Sequence, residues 1–537
     1  MVVSACVTPG EGGGSFPLAG IGERTAGAVS PSENGPAREA VRRLLEEQPA
    51  LLTPHPEVVR PFYEQRGFQP AWTTAEGLDA RGRQVRAVLE TAWADGLAGI
   101  AVPPTPPEGA VLDAEARAAL DIALTAALAD YAMAAIPLRP AWAPASPDAV
   151  PTALVTIAAD DPAAERPGRL FRLVSEDDRY ARLRRGLLRY QALVEAGGWP
   201  AVPAEGPKVE PGDRHADLVA VRERLRVSGD LATDSVAPDT SLLDPALAAA
   251  IERFQARHGL LVDGIVGRRT RAALAVPAEA RVRQMALNLR RLRDMPPPPA
   301  GRSVEVNIAG AALEGRQDGV PAFRTDVIVG MEDRPTPRLR SAINRLVLNP
   351  TWTVPTSIAE KDLLPKLREN PEYLTENNFT VFDGWSRDAE KLDPTTIDWH
   401  AEDLDIRGLR LRQAPGQSNA LGAIKFMFPN EHNVYLHSTP SRGLFARSQR
   451  TFSSGCVRVR DPLDFATFLM NEPATWTPDA FKRRIADGKT KAVHPRESVP
   501  VALVYLTAWV DEDGTAQFRR DVYGYDAREL ETMGRTM

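Results

Sequence analysis

Four consecutive prolines, Pro296–Pro299, separate two stretches of this chain with different hydrophobic rhythms. Proline has no amide hydrogen and a fixed φ, so such a run suits neither a helix interior nor a central strand. With Ala300 and Gly301 it predicts a stiff hinge. Before the hinge, apolar residues recur at helical spacing: Val85, Val88, Leu89 and Ala92, then Tyr180, Leu183, Leu187, Tyr190 and Val194, stopped by Gly197-Gly198. Val282, Met285, Leu289 and Leu292 form a third stripe. After the hinge the period drops to two, in SVEVNIAGAAL, FRTDVIVGM, AINRLVLNPTW, AIKFMF, NVYLHS and VALVYLTAWV. The expected fold is multidomain α+β, with a helical N-terminal scaffold and a mostly antiparallel β domain behind the hinge. A polar, helix-prone insertion at about 356–410 interrupts the strands, and an insertion of that length suits a lid.

At 537 residues the chain exceeds what one core can organise. The expected division is a disordered tether or export-signal remnant at 1–35, a helical scaffold at 36–205 and a small module at 210–277. A connecting helix and hinge follow at 278–300, then the β domain at 301–525 and a tail at 526–537. Lys and Arg number 65 against 71 Asp and Glu, with no basic block, so nucleic acid is not an expected partner. Two cysteines cannot build a disulfide framework. The Ala-rich stretch from Asp113 to Ile136 is broken by Asp121 and Asp130 and reads as a core helix, not a membrane span. Val3-Ser4-Ala5-Cys6 has the small-residue pattern of a lipoprotein cleavage site, but no apolar segment precedes it; either upstream residues were removed or the match is chance.

Within the small module, Asp244 is an N-cap with Pro245 at the first helical position. Leu247, Ile251 and Phe254 share one face, and Gly259 ends the helix. With LVAVRERL before it and a short helix ending near Leu274 after it, the region predicts a three-helix bundle. AIERFQARHGLLVDGIVGRRTRAAL resembles the repeat of the peptidoglycan-binding module. Its matching positions are core and turn residues, so the resemblance speaks for the fold before it speaks for glycan contact.

The chemistry-bearing residues lie in the β domain. In NVYLHS, alternation puts Val434 and Leu436 on one face and Tyr435 and His437 on the other. Cys456 follows nineteen residues later, behind Ser453-Ser454-Gly455. Gly455 permits a sharp turn, and the backbone N–H groups of Gly455 and Cys456 could form an oxyanion site. After it, Val457 and Val459 face one way, Arg458 and Arg460 the other, and Asp461-Pro462 caps a helix carrying Phe465, Phe468 and Leu469. A thiol with an adjacent imidazolium is sufficient for acyl transfer through a thioester, and Arg458 would lower the thiol pKa. By spacing alone, a small buried cysteine and a satisfied strand histidine are the commoner reading.

YLHSTPSRGLFARSQRTFSSGCVRV resembles the signature of the YkuD-type L,D-transpeptidase domain, in particular its large YcbB-like subgroup, with Ser454 where most relatives carry a second histidine. FYEQRGFQPAW, RVRQMALNLRRLRDMP, NPTWTVPTSIAEKDLLPKL, QAPGQSNALGAIKFMFPN and PVALVYLTAWVDEDGTAQFRRDVYG extend the resemblance over nearly the whole chain. The resemblance implies Cys456 as nucleophile and His437 as acid–base, forming 3→3 cross-links between diaminopimelate residues of peptidoglycan stem peptides. Arg458, Ser453, Ser454, Tyr435 and Trp352 are the expected substrate-binding residues, and no cofactor or metal is expected. Stem peptides are the expected partners, with glycan contact through the module and room for other cell-wall synthesis enzymes. The expected location is the periplasm or cell envelope of a Gram-negative bacterium, anchored through an upstream signal or a lipid on Cys6. Three other readings remain open: an L,D-carboxypeptidase, a protein-to-peptidoglycan ligase, and a non-catalytic wall-binding scaffold.

Overall fold

The computed structural model describes residues 35–534, apart from 98, 105, 108–109, 137–146, 160–173, 176, 236 and 297–298. The expected tether with Cys6, the middle of the proline hinge and the last three residues therefore lie outside the described residues. The chain forms two compact units.

The first unit takes in residues 1–89, 100–130 and 147–166. Its helices are α1 (Gly35–Glu47), α2 (Pro56–Gln65), most of α3 (Ala80–Glu90) and α5 (Val150–Ala159), together with the N-terminal part of α4 (Ala114–Ala135). By length and composition α4 could cross a membrane, yet 67% of its most apolar window is buried. Asp121 shows why it is a core helix. Its buried carboxylate accepts from the Tyr63 hydroxyl at 2.7 Å, the Trp72 amide at 2.9 Å and the Thr73 hydroxyl at 2.8 Å. A carboxylate out of water must be satisfied this fully to persist.

The second unit takes in residues 90–99, 131–146 and 167–537. Helix α6 (Asp178–Glu195) carries Arg184, whose guanidinium pairs with buried Asp95 at 2.8 Å. The small module follows as α7 (Asp217–Val227), α8 (Pro245–Arg257) and α9 (Arg268–Leu274) around Val221, Leu225, Leu247, Ile251 and Phe254. Asp244 caps α8 through the Leu247 amide at 2.8 Å. Gln255 pins the following loop by accepting from the Asp263 and Gly264 amides and donating to the Ile265 carbonyl. The module's signature positions are thus occupied in holding its own turn. Helix α10 (Ala278–Arg293) packs on α6 and inserts Asn288 between backbone and hydroxyl groups of Thr507.

Behind the hinge lies an eleven-stranded sheet. Its strands are β1 (Arg302–Asn307), β2 (Ala312–Gln317), β3 (Val320–Gly330), β4 (Leu339–Ile343), β5 (Arg345–Leu348), β10 (Ile424–Met427), β11 (Leu436–His437), β12 (Thr451–Ser453), β13 (Val457–Val459), β14 (Lys491–Val493) and β15 (Val499–Val504). The spatial order is β14-β5-β10-β11-β13-β3-β2-β1-β15-β4, with β12 also on β3. Most pairs are antiparallel, but β11–β13, β12–β3 and β15–β1 are parallel. The core packs Val327, Val329, Leu346, Phe426, Leu436, Val457 and Val459 against Phe465 and Leu469 of α12 (Pro462–Met470).

The insertion is a subdomain with its own core around Leu367, Val381, Trp399 and Leu411. Its sheet runs β8-β7-β9-β6, from β6 (Trp352–Thr353) through β7 (Phe379–Asp383) and β8 (Lys391–Leu392) to β9 (Leu409–Gln413), so it is wider than the expected 356–410. The expected tail carries structure of its own. Tyr525–Gly534 is a helix, α14, whose Asp526 is buried and pairs with Arg291 of α10 at 2.7 Å.

Candidate active site

The site is built by the register of three strands. Lys425 of β10 lies opposite His437 of β11, and His437 lies opposite Arg458 of β13. Leu436 lies opposite Val457, and the Val457 amide donates to the Tyr435 carbonyl at 3.1 Å. Because side chains alternate, one face of this ribbon carries Ile424, Phe426, Leu436, Val457 and Val459 into the core. The other face collects Lys425, Tyr435, His437 and Arg458, with Cys456 at the entrance to β13. As a residue Cys456 is half-buried.

The Tyr435 hydroxyl and backbone lie near the Cys456 sulfur and favour its thiolate. The Tyr435 ring stands edge-on to His437, with centroids 5.7 Å apart, and the Lys425 Nζ lies 3.7 Å from its centroid. Trp352, at the edge of the inserted sheet, lies near the Tyr435 hydroxyl and packs against Phe379. Four expected residues, Cys456, His437, Tyr435 and Arg458, therefore share one face, and Trp352 closes on it from the insertion. Lys425 was not among the sequence candidates. Its signal was there: a lone charge between Ile424 and Phe426 in a strand whose other face is core.

His437 Nδ1 lies 2.6 Å from the Ser438 carbonyl oxygen, so it carries the hydrogen and Nε2 is left as the acceptor. Burial, then the neighbouring Arg458 and Lys425 charges, push the imidazole pKa down to about 3. Burial also raises the Cys456 thiol, outweighing Tyr435 and the Lys425 and Arg458 charges, which favour the thiolate. The expected resting imidazolium–thiolate pair is thereby corrected to a neutral thiol beside a neutral imidazole. The reason is first that burial disfavours both charged forms, and then that two cations already stand beside the imidazole, where like charges disfavour an imidazolium. Arg458 has no carboxylate partner among the described residues, and burial lowers its own pKa.

The turn before Cys456 is held from below. Gly455 adopts φ +109°, a conformation that favours glycine. Its carbonyl accepts from the Thr336 hydroxyl at 2.8 Å, and Thr336 in turn accepts from the Gly330 amide. Ser453 Oγ donates to the Cys456 carbonyl and accepts from the Gly455 amide at 3.2 Å. This changes two expectations. Ser453 is 2% exposed with its hydrogen bonds spent on the turn, so it shapes the loop and does not face a ligand. The Gly455 N–H, one of the two amides expected at an oxyanion site, is already engaged by Ser453 Oγ. Ser454 Oγ accepts from Arg334 at 3.0 Å, and Arg334 also pairs with Asp362 of the insertion. Asp461 stands at the N-cap of α12, but its carboxylate accepts from the Thr325 hydroxyl at 2.7 Å and makes no side-chain cap.

Three family models match the chain: "L,D-transpeptidase catalytic domain" (YkuD) over residues 301–493, "Scaffold domain" over 57–187 and "Putative peptidoglycan binding domain" over 214–274. A Haemophilus influenzae protein named "Putative L,D-transpeptidase" is 40% identical over 243 residues, 45% of this chain and 48% of that protein. The chain thus spans about half the length of the curated relative it matches. Among solved structures, an L,D-transpeptidase from Xylanimonas cellulosilytica is 16% identical with a TM-score of 0.17, covering 56% of this chain and all of that one. One from Mycobacterium smegmatis is 13% identical with a TM-score of 0.19, covering 38% and 59%. At those scores neither overlay bears on the argument.

Proposed function

We infer the function from a chain that carries a YkuD L,D-transpeptidase catalytic domain with a peptidoglycan-binding domain ahead of it. It acts on the peptidoglycan stem peptide in the cell envelope and joins two stems through diaminopimelate in a 3→3 cross-link. The observation that carries this reading is the shared face of β10, β11 and β13, which gathers Cys456, His437, Lys425 and Arg458 over an apolar core.

Neutral His437 takes the thiol proton at Nε2 as the Cys456 sulfur attacks the carbonyl between diaminopimelate and the terminal D-Ala. Tyr435 and the Lys425 charge stabilise the negative sulfur as it forms. The Cys456 amide N–H receives the oxyanion. The C–N bond breaks, His437 returns the proton to the departing D-Ala amine, and an acyl-thioester remains. A diaminopimelate side-chain amine then attacks that thioester and gives its proton to His437; the C–S bond breaks, and the sulfur recovers the proton. Arg458, without a carboxylate of its own, holds one on the stem. Trp352 and Tyr435 form the wall on the insertion side, so the insertion acts as the lid.

Incubation with tetrapeptide-rich sacculi, followed by mass analysis of muropeptides, tests this. Wild-type protein should yield 3→3 dimers and free D-Ala, and Cys456→Ala protein neither. Tripeptides without dimers would replace the reading by an L,D-carboxypeptidase. Unchanged sacculi with wild-type protein would leave a wall-binding scaffold.

A further inference from the structure

A cavity of about 770 Å³ opens where the small module meets the β domain, both within the second unit. Its lining includes Arg268, Arg269, Arg281, Arg450, Arg519 and Arg520 against a single carboxylate, Asp521. Asp521 is already committed, accepting from the Tyr505 hydroxyl at 2.7 Å and from the Tyr525 amide at 2.9 Å. Arg450 pairs with Asp326 and Arg520 with Glu332. The other four guanidinium groups have no carboxylate partner among the described residues. In a chain of net charge −6, that concentration of unpaired cations is the reverse of the average.

The cavity is also built, not merely charged. Gly259, at φ +63°, lets Arg519 lie flat against the end of α8, where a Cβ would stand 2.7 Å from its Cδ. Arg519 is held there by donating to the Arg257 carbonyl at 3.0 Å. Arg269 donates to Gln449 at 2.9 Å and so ties the module to the segment between His437 and Cys456. Two lining side chains keep buried nitrogens without any partner. They are His258 Nε2, on a residue 6% exposed, and Arg281 Nε, on a residue 7% exposed. Unsatisfied polar atoms are costly unless something fills the space beside them. Burial, ahead of neighbouring charges, lowers Arg281 and Arg519 to about 10.

We propose that this cavity binds an anionic peptide bearing two or more carboxylates, the chemistry of a peptidoglycan stem, as a second stem site where the small module meets the β domain. The proposal rests on the function inferred above. Carboxylates match the planar guanidinium forks, and the volume lies within the range of small-ligand sites, roughly 300–1,000 Å³.

The test is titration calorimetry on Cys456→Ala/Arg458→Ala protein, whose cysteine site lacks both its nucleophile and its free arginine. The probe is the purified diaminopimelate tetrapeptide, compared with the same peptide carrying amidated carboxylates. Binding that weakens at least tenfold on amidation, and likewise with the added pair Arg268→Glu and Arg269→Glu, is the expected result. Both arginines are exposed, so these changes spare the fold, and the amidated peptide needs no variant. Equal binding by both peptides, or unaltered binding by the glutamate variant, overturns the proposal. So does binding of vesicles with anionic phospholipid but not of the peptide, which would mark a phosphate site. The readout needs no turnover, so failure here leaves the sacculus result standing, and failure there leaves this one standing.

Discussion

Burial decides the charge state of the two reacting side chains. A cation near a thiol lowers its pKa, and Lys425 and Arg458 both do so for Cys456, but the loss of water around the sulfur outweighs them. The same two cations, with burial ahead of them, hold His437 neutral. A resting ion pair would give acylation a fall in rate where the imidazolium loses its proton, at or above the ordinary imidazole pKa of about 6.5. A neutral pair predicts none: the second-order rate of Cys456 acylation by a carbapenem-type β-lactam should be flat between about pH 5 and 8 and bend only in the alkaline range. Stopped-flow measurement across pH reads this directly, and a fall in rate as pH rises past the imidazolium pKa would restore the ion pair. The same shift bears on stability. The folded-state value is depressed, so the contribution of His437 is complete above about 6.5 and is lost as pH falls toward 3. Alternation made His437, Cys456 and Arg458 legible, because the strand period fixes which side chains share a face. It left Lys425 unread, since a lone lysine in a strand fits a solvated face equally well, and only the pairing of β10 with β11 brings it opposite His437.

Among the elements, the turn from Ser453 to Cys456 carries the most consequence for its length. One hydroxyl satisfies both an amide and a carbonyl, and Thr336 braces Gly455 from the neighbouring segment. Ser453→Ala leaves two buried backbone groups unpaired, which costs on the order of 1–3 kcal/mol each when nothing replaces the bond. The expected outcome is a lowered melting temperature and a larger fall in kcat than in affinity, because the loosened turn moves the sulfur and the Cys456 amide together. Serine-to-alanine kinetics with unchanged kcat would show that the turn is held by Thr336 alone. The sequence signalled a turn here through glycine, but it could not tell a ligand-facing serine from one spent on the backbone. The insertion was legible as a polar interruption of the strands. Its edges were not, because β6 and β9 are short and pair with each other across the intervening chain.

For the whole molecule, the order of parts was readable from the change of hydrophobic period at the prolines, and the module from its capping and glycine positions. The C-terminal helix was not. YDARELETMG reads as a polar tail until Asp526 and Glu529 meet Arg291, a partner on α10 more than two hundred residues away. Such long-range pairs leave no local trace, which is also why the arginine-lined cavity is invisible in sequence. The central claim is that the sulfur of Cys456 carries the stem peptide covalently between donor and acceptor. Rapid acid quenching with a tetrapeptide donor alone, followed by mass mapping, tests it most directly. The account predicts that the peptide containing Cys456 gains the mass of the donor less D-Ala, as a hydroxylamine-sensitive thioester. Consumption of the donor with Cys456 remaining a free thiol would contradict it.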